Sequence, residues 1–389
     1  MQNLKRICLI SNYNLYESKR HFSTKFGEAF KRKGIEVLHI DAQEAPLNAE
    51  VLLSISRFNP NLTCSFNTLQ PISPDTFLWD YLEIPHLSIL VDPAIYSLNL
   101  LKSPYSVISC VDAEDVELIK SQKFENCFFF PHAIESELIG SGKDQKIYDV
   151  VFIGSCYDYE SLRNHWKSLY SAEIDQVIIN ASEMVLSDKS ISIAQALCKA
   201  WNPKDPSTQE ISFSELFYFI DRYTRGIDRV QLIKSIKDAR VHIFGDASED
   251  DLATYMGWKH YLQGCNNITL HPAVSYGESL EILKQSKIAL NSMPFFKRGS
   301  HERVFNALAC GAMPLTTETV YWTEAFTPGQ DLVYYQSRKW NEANDLINYY
   351  LANESVRKNI VGKGALRVSE KHTWDQRVEL LQTTNLFLG

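Results

Sequence analysis

Lys297, Arg298, His301 and Arg303 fall within seven residues of one another in the run KIALNSMPFFKRGSHERVFNALACGAMPLTTE, residues 287–318. The run reads as strand, loop, helix, glycine stop and strand, with Ser300 placed to cap the helix and Gly311 to end it. A helix start presents unpaired backbone N–H groups and the positive end of the helix dipole. Cations beside it suit a diphosphate, an arginine especially, because its planar fork can grip two oxygens at once. Val304, Ala307 and Leu308 repeat at i, i+3, i+4 and should face a sheet, while Glu302, Arg303 and Asn306 share another face. The alternative is a solvated loop in which Lys297, Arg298 and Arg303 pair with Glu302. Thr316, Thr317 and Glu318 close the following strand, where they could touch a ligand or cap the next helix.

Other candidates are more scattered. Asp92, in VDP at a strand end, could act as a base or form a turn before Pro93. His132 follows the strand-like CFFFPH and is open to a catalytic or a structural reading. Asn12 and Tyr13 follow the first apolar run and could meet an acceptor or be ordinary loop residues. Arg222, Arg225 and Arg229 share a helical face that is expected to be solvated or ion-paired. The fragment GSGK at 140–143 fails as a phosphate loop: Glu137 stands where the first glycine belongs and Asp144 where Ser or Thr should follow the lysine.

These residues must be carried by a recurring pattern of β-rich and helical runs. Strands are expected at 6–11, 35–41, 51–56, 86–92, 105–111 and 127–132, with a helix from about 21 to 33 ended by Gly34 and another capped by Asp112. Near-continuous apolar strands separated by helices imply a parallel sheet covered on both faces. A polar linker at about 135–149 precedes a second series at 149–155, 240–246, 267–272, 287–293, 312–318 and 331–335. A largely helical insert at about 160–237 interrupts this series. The expected architecture is α/β, with two Rossmann-like domains facing across a cleft. An N-terminal domain spans 1–140, a second one 148–370, and a C-terminal helix at 371–389 can pack back on the first.

The chain of 389 residues is 45% apolar, enough for a large core, and its net charge of −8 argues against nucleic acid as a partner. The N-terminus lacks a secretory signal, and no apolar run reaches the roughly 18 residues that span a bilayer. The eight cysteines are scattered without a C-x-x-C pair. A cytoplasmic protein without a cysteine metal site is expected, with peripheral membrane contact left open.

The segment RVFNALACGAMPLTTE resembles the R-x-F-E-A-L-A-C-G-A segment of GT-B glycosyltransferases of the CgeB-like, spore-maturation type, relatives of the group-one transferases. YDVVFIGS, VHIFGD, SYGESLEILKQSKIALN, WTEAFTPGQDLVYY and HTWDQRVELL resemble other pieces of that family in the same order. The resemblance covers most of 148–380 and, more loosely, 80–135. It implies a metal-independent transferase that moves a hexose from a UDP-, GDP- or TDP-sugar to a hydroxyl of a glycan, protein or small molecule, with no cofactor. The absence of a D-x-D triplet agrees with the metal-free expectation. The resemblance puts Gly154 and Ser155 near the phosphates with Arg303 nearby; Gly245, Lys297, Arg298, His301, Thr316, Thr317 and Glu318 are the further candidates for binding the donor. Asn12 and Tyr13 fall to the acceptor, and Asp92 and His132 to catalysis. Asn306 stands where many relatives have a glutamate that accepts from ribose hydroxyls; its amide oxygen accepts as a neutral group. Two alternatives share this fold: a catalytically silent binding or assembly module, and a sugar-nucleotide epimerase.

Overall fold

A computed structural model describes residues 4–11, 16–42, 48–202, 211–245 and 256–384. The chain divides into two compact units. The first comprises Met1–Leu138, Gly299–Phe305 and Val368–Gly389, and the second Ile139–Arg298 and Asn306–Arg367.

The first unit is built on six parallel strands: β1 (Arg6–Ser11), β2 (Glu36–Asp41), β3 (Leu62–Phe66), β4 (His86–Leu90), β5 (Ser106–Cys110) and β6 (Cys127–Phe129), in the order β2-β1-β3-β4-β5-β6. β3, β4 and β5 are buried along their whole length, as a sheet covered on both faces requires. The helix Ser18–Arg32 covers one face through Phe22, Phe26 and Phe30. Trp374, on the C-terminal helix Trp374–Thr383, packs 5.3 Å from Phe26 and 5.6 Å from Phe66, ring centre to ring centre. Arg32 reinforces the same pairing of helices with two hydrogen bonds to Asp375.

The expected strand at 51–56 is a helix, Ala49–Phe58. Asn48 caps it by accepting from the N–H groups of Glu50 and Val51, and Asn59 ends it in the left-handed region. Only Val51 and Ile55, four apart, are buried, which is a helical spacing. The strand that belongs to this part of the sheet is β3, ten residues further on.

The second unit carries β7 (Tyr148–Ile153), β8 (Val241–Phe244), β9 (Ile268–His271), β10 (Ser286–Asn291), β11 (Met313–Thr317) and β12 (Val333–Tyr335), parallel in the order β12-β11-β10-β7-β8-β9. This is the doubly wound order, which reverses direction between β7 and β10; open α/β sheets bind ligands beyond the carboxyl ends of their strands at such a reversal. Among the described residues the insert carries the helices Tyr159–Leu169, Ala172–Ser187, Ile193–Ala200 and Phe213–Ser235. Gly142 of the GSGK fragment is a packing glycine: a Cβ there would lie 2.6 Å from the Cys310 carbonyl oxygen.

Among the described residues no helix is long and apolar enough to cross a membrane. The cysteines are all free thiols.

Candidate functional site

In the first unit, β6 delivers His132 to the loop Gly299–His301. Gly299 bridges to Asp112, and only glycine fits there, because a Cβ would come within 2.7 Å of the Val111 carbonyl oxygen. Ser300 then lies against His132. Its hydroxyl accepts from the His132 backbone N–H at 2.7 Å, and its carbonyl lies 2.9 Å from His132 Nδ1. Ser300 therefore does not cap the helix as expected. That helix begins at Glu302 and runs to Ala309.

His132 is buried, and burial pushes its imidazole pKa down to about 4. The neutral ring donates from Nδ1 to Ser300, and its Nε2 lies 3.4 Å from a Glu302 carboxylate oxygen, too far for a hydrogen bond of ordinary strength. That oxygen is 2.7 Å from His301 Nδ1. Burial raises the Glu302 carboxyl, but His301, by charge and by its hydrogen bond, and Arg303 outweigh it and hold the group below the ordinary carboxylate range. His301 Nδ1 is also 3.4 Å from the Arg303 N–H. The shorter approach to Glu302 decides that this nitrogen carries the proton and is no helix cap. Arg377 fixes the loop from behind, donating to the Pro131, His132 and Lys371 carbonyls at 2.6, 2.8 and 2.9 Å. Asp92 is close enough to raise His132 electrostatically, and its carboxylate accepts from Asn67 Nδ2 at 2.7 Å. Asn12 and Tyr13 lie outside the described residues.

In the second unit, Gly154 and Gly245 lie at the ends of β7 and β8. A Cβ on Gly245 would fall 2.3 Å from the Gly154 carbonyl oxygen, so the two turns can touch only if residue 245 is a glycine. The Gly154 N–H is taken by Phe244 and its carbonyl by the Trp258 indole. The Ser155 carbonyl accepts from Arg229 at 2.7 Å.

Arg229 belongs to a group that sequence reasoning undervalued. Arg222, Arg225 and Arg229, at i, i+3 and i+7 on the helix Phe213–Ser235, are not a solvated face: Arg225 and Arg229 are 7% and 4% exposed. Arg225 does pair with Asp221, at 2.6 Å. Tyr157 sits among all three arginines, with the Arg222 and Arg229 guanidinium carbons 5.1 and 4.6 Å from its ring centre. Burial pushes its phenol up, yet the three guanidiniums outweigh both burial and Asp221, and the net direction is down. A positive field thus dominates at the carboxyl end of β7.

The remaining candidates sort by environment. Lys297 is buried and donates to the Val185 and Asp188 carbonyls at 2.7 and 2.8 Å, closing the end of the helix Ala172–Ser187. Arg298 is exposed and Arg303 half-buried. Val304, Ala307 and Leu308 are buried as expected. Asn306 Nδ2 donates to the Tyr276 hydroxyl at 2.7 Å, while its Oδ1 is buried with no hydrogen-bond partner among the described residues. Thr316 accepts from Asn291, and Thr317 accepts from the Met293 N–H. Glu318 accepts from Lys189 at 2.8 Å and Gln336 at 2.7 Å. Lys297, Thr317, Glu318 and Ser337 line a cavity of about 270 Å³ beyond β11 and β12. Among the described residues, no three His, Cys, Asp or Glu side chains gather as metal ligands.

Residues 228–383 match the family model described as glycosyl transferase-like. No match is found among curated proteins. Solved structures resemble the chain along its whole length. Sucrose-phosphate synthase from Thermosynechococcus elongatus superposes with a TM-score of 0.59 at 11% identity, over 97% of this chain and 98% of that one. An alpha-glucosyltransferase in complex with UDP and a 13-mer DNA gives 0.58 at 10%, over 97% and 100%. HepE from Anabaena in complex with UDP-glucose gives 0.55 at 10%, over 97% and 100%. The two six-stranded parallel sheets thus have the fold of the GT-B glycosyltransferases.

Proposed function

We propose that the chain is a glycosyltransferase of the CgeB-like type, acting in the cytoplasm. It moves a hexose from a nucleoside diphosphate sugar to a hydroxyl of a glycan, protein or small molecule without a metal ion. The observation that carries this reading is the buried arginine group around Tyr157, at the end of β7 in a fold of this class. In the reaction the bond between the sugar's anomeric carbon and the diphosphate breaks with its electron pair on the diphosphate. The acceptor oxygen bonds to that carbon and gives up its proton. Negative charge grows on the leaving group, so cations already held in place stabilise the transition state more than the bound substrate. Arg229, tied to the Ser155 carbonyl, and Arg222 are suited to that task. Asn306 Oδ1, buried without a partner, is suited to accept from a ribose hydroxyl. In the first unit, His132, held neutral by burial, is the group suited to receive the acceptor's proton, and Asp92 is the second candidate.

Calorimetric titration with UDP, GDP, TDP and ADP in EDTA tests the reading. One of them should bind, and Arg229→Ala should weaken that nucleotide about tenfold or more, the scale expected for removing one charge-assisted hydrogen bond. Failure of all four to bind would overturn it.

A further inference from the structure

Asp228 stands next to the arginine group in sequence but serves a different part of the fold. It is wholly buried in the helix Phe213–Ser235. Its Oδ2 accepts from the Tyr335 hydroxyl at 2.6 Å and the Ser292 hydroxyl at 2.7 Å, and its Oδ1 from the Ser337 hydroxyl and the Trp340 indole, each at 2.7 Å. Thr317 adds a longer approach of 3.4 Å and reaches the Tyr335 hydroxyl at 2.8 Å. Burial and Asp228 together push the Tyr335 phenol well up, so Tyr335 keeps its proton and acts as a donor.

The donors come from three neighbouring strands. Ser292 follows β10, Thr317 ends β11, Tyr335 ends β12, and Ser337 and Trp340 follow β12. One desolvated carboxylate therefore ties the carboxyl ends of β10, β11 and β12 to a single point on a helix. Such an arrangement is costly unless every lone pair is used, and here both oxygens are occupied. Thr317 and Ser337 also line the 270 Å³ cavity together with Lys297 and Glu318.

From this we infer that Asp228 is a positioning residue for binding of the sugar donor. It does not line the cavity; it fixes the shape of the strand ends that do. The inference rests on the reading that this cavity belongs to the site of the nucleoside diphosphate sugar.

Asp228→Asn is the informative change. The Trp340 N–H can only donate, so the amide oxygen must stay on its side. The amide NH₂ then faces Ser292 and Tyr335, whose hydroxyls must turn to accept. The hub stays filled but loses its charge and its pattern of donors. Ile347→Val, a truncation in the core of the same unit that removes none of the hydrogen bonds to Asp228, serves as the control for reduced stability. Well below the melting temperature, a drop in stability alone leaves the Kd of the folded protein unchanged.

Titration of the full chain with whichever of UDP, GDP, TDP and ADP the wild type binds should show about a tenfold or greater rise in Kd for Asp228→Asn, the scale of coupling within one network. Ser337→Ala should show a smaller rise, and Ile347→Val should stay within about twofold. Wild-type affinity in Asp228→Asn would overturn the inference and leave the proposed function standing. If Asp228→Asn does not fold, Ser337→Ala and Tyr335→Phe each remove one hydroxyl, and unchanged affinity in both would overturn it equally. A wild type that binds none of the four nucleotides overturns the functional reading and this inference with it.

Discussion

His132→Asn should make the protein less sensitive to mild acid. In the folded chain burial holds the His132 pKa at about 4, whereas an unfolded histidine titrates near 6.5. Between those values the unfolded chain binds a proton that the folded chain refuses, so stability rises with pH across that window. The contribution is fully present above about pH 6.5 and falls by roughly 1.4 kcal/mol per unit as the pH drops toward 4. From pH 7 to pH 5 the loss from this one group comes to about 2 kcal/mol. Glu302, held low, begins to lose its own contribution only as the pH falls through the ordinary carboxylate range, below that interval. His86, pushed down by burial to about 3, titrates alike in both proteins and cancels in the comparison. An asparagine can reproduce the Nδ1–H donation to the Ser300 carbonyl but takes up no proton. Urea unfolding of both proteins at pH 7 and pH 5 should therefore show the wild type losing about 2 kcal/mol more than the variant. Equal losses would mean that His132 is not a buried neutral imidazole, and its candidacy as a base would go with that.

Arg377→Ala should destabilise the first unit by about 2–4 kcal/mol, since the Pro131, His132 and Lys371 carbonyls lose their shared charged donor; a fall in urea midpoint checks it. Gly245→Ala should cost roughly 2 kcal/mol or more, because its Cβ meets backbone that cannot move aside, and thermal unfolding would show it. Arg32→Ala, which removes a half-exposed pair with Asp375, should change stability by about 1 kcal/mol or less in the same assay.

Most strands could be read because their apolar runs are unbroken and end at turn residues. β1 spans the residues expected, and the six strands of the second unit each fall within about two residues of their expected ends. Asp112 caps its helix, and Gly34 follows one with φ of 76°, both as their residue types imply. The error at 51–56 shows the limit: a short run of Val, Leu and Ile fits either a strand or a helix, and Asn48 and Asn59 at its two ends were the deciding signal.

The candidate site was less legible. The basic loop before the helix is conspicuous in the sequence, but Lys297 spends its ammonium on helix-end carbonyls. Ser300 serves His132 instead of the helix. The buried arginines were visible only as a periodicity, because side-chain spacing on a helix does not reveal what packs over that face. Asp228 left no trace at all. Its partners lie 64 to 112 residues away in sequence and come together only through the order of β10, β11 and β12.

Turnover of a nucleoside diphosphate sugar tests the central claim most directly. The full chain is incubated in EDTA with UDP-, GDP-, TDP- and ADP-hexoses, and released nucleotide and glycosylated product are read by mass spectrometry. One sugar donor should be consumed, with its nucleoside diphosphate released, and Arg229→Ala should lose most of that release. No nucleotide released from any donor, with the chain folded and the nucleotides shown to be intact, would contradict the account.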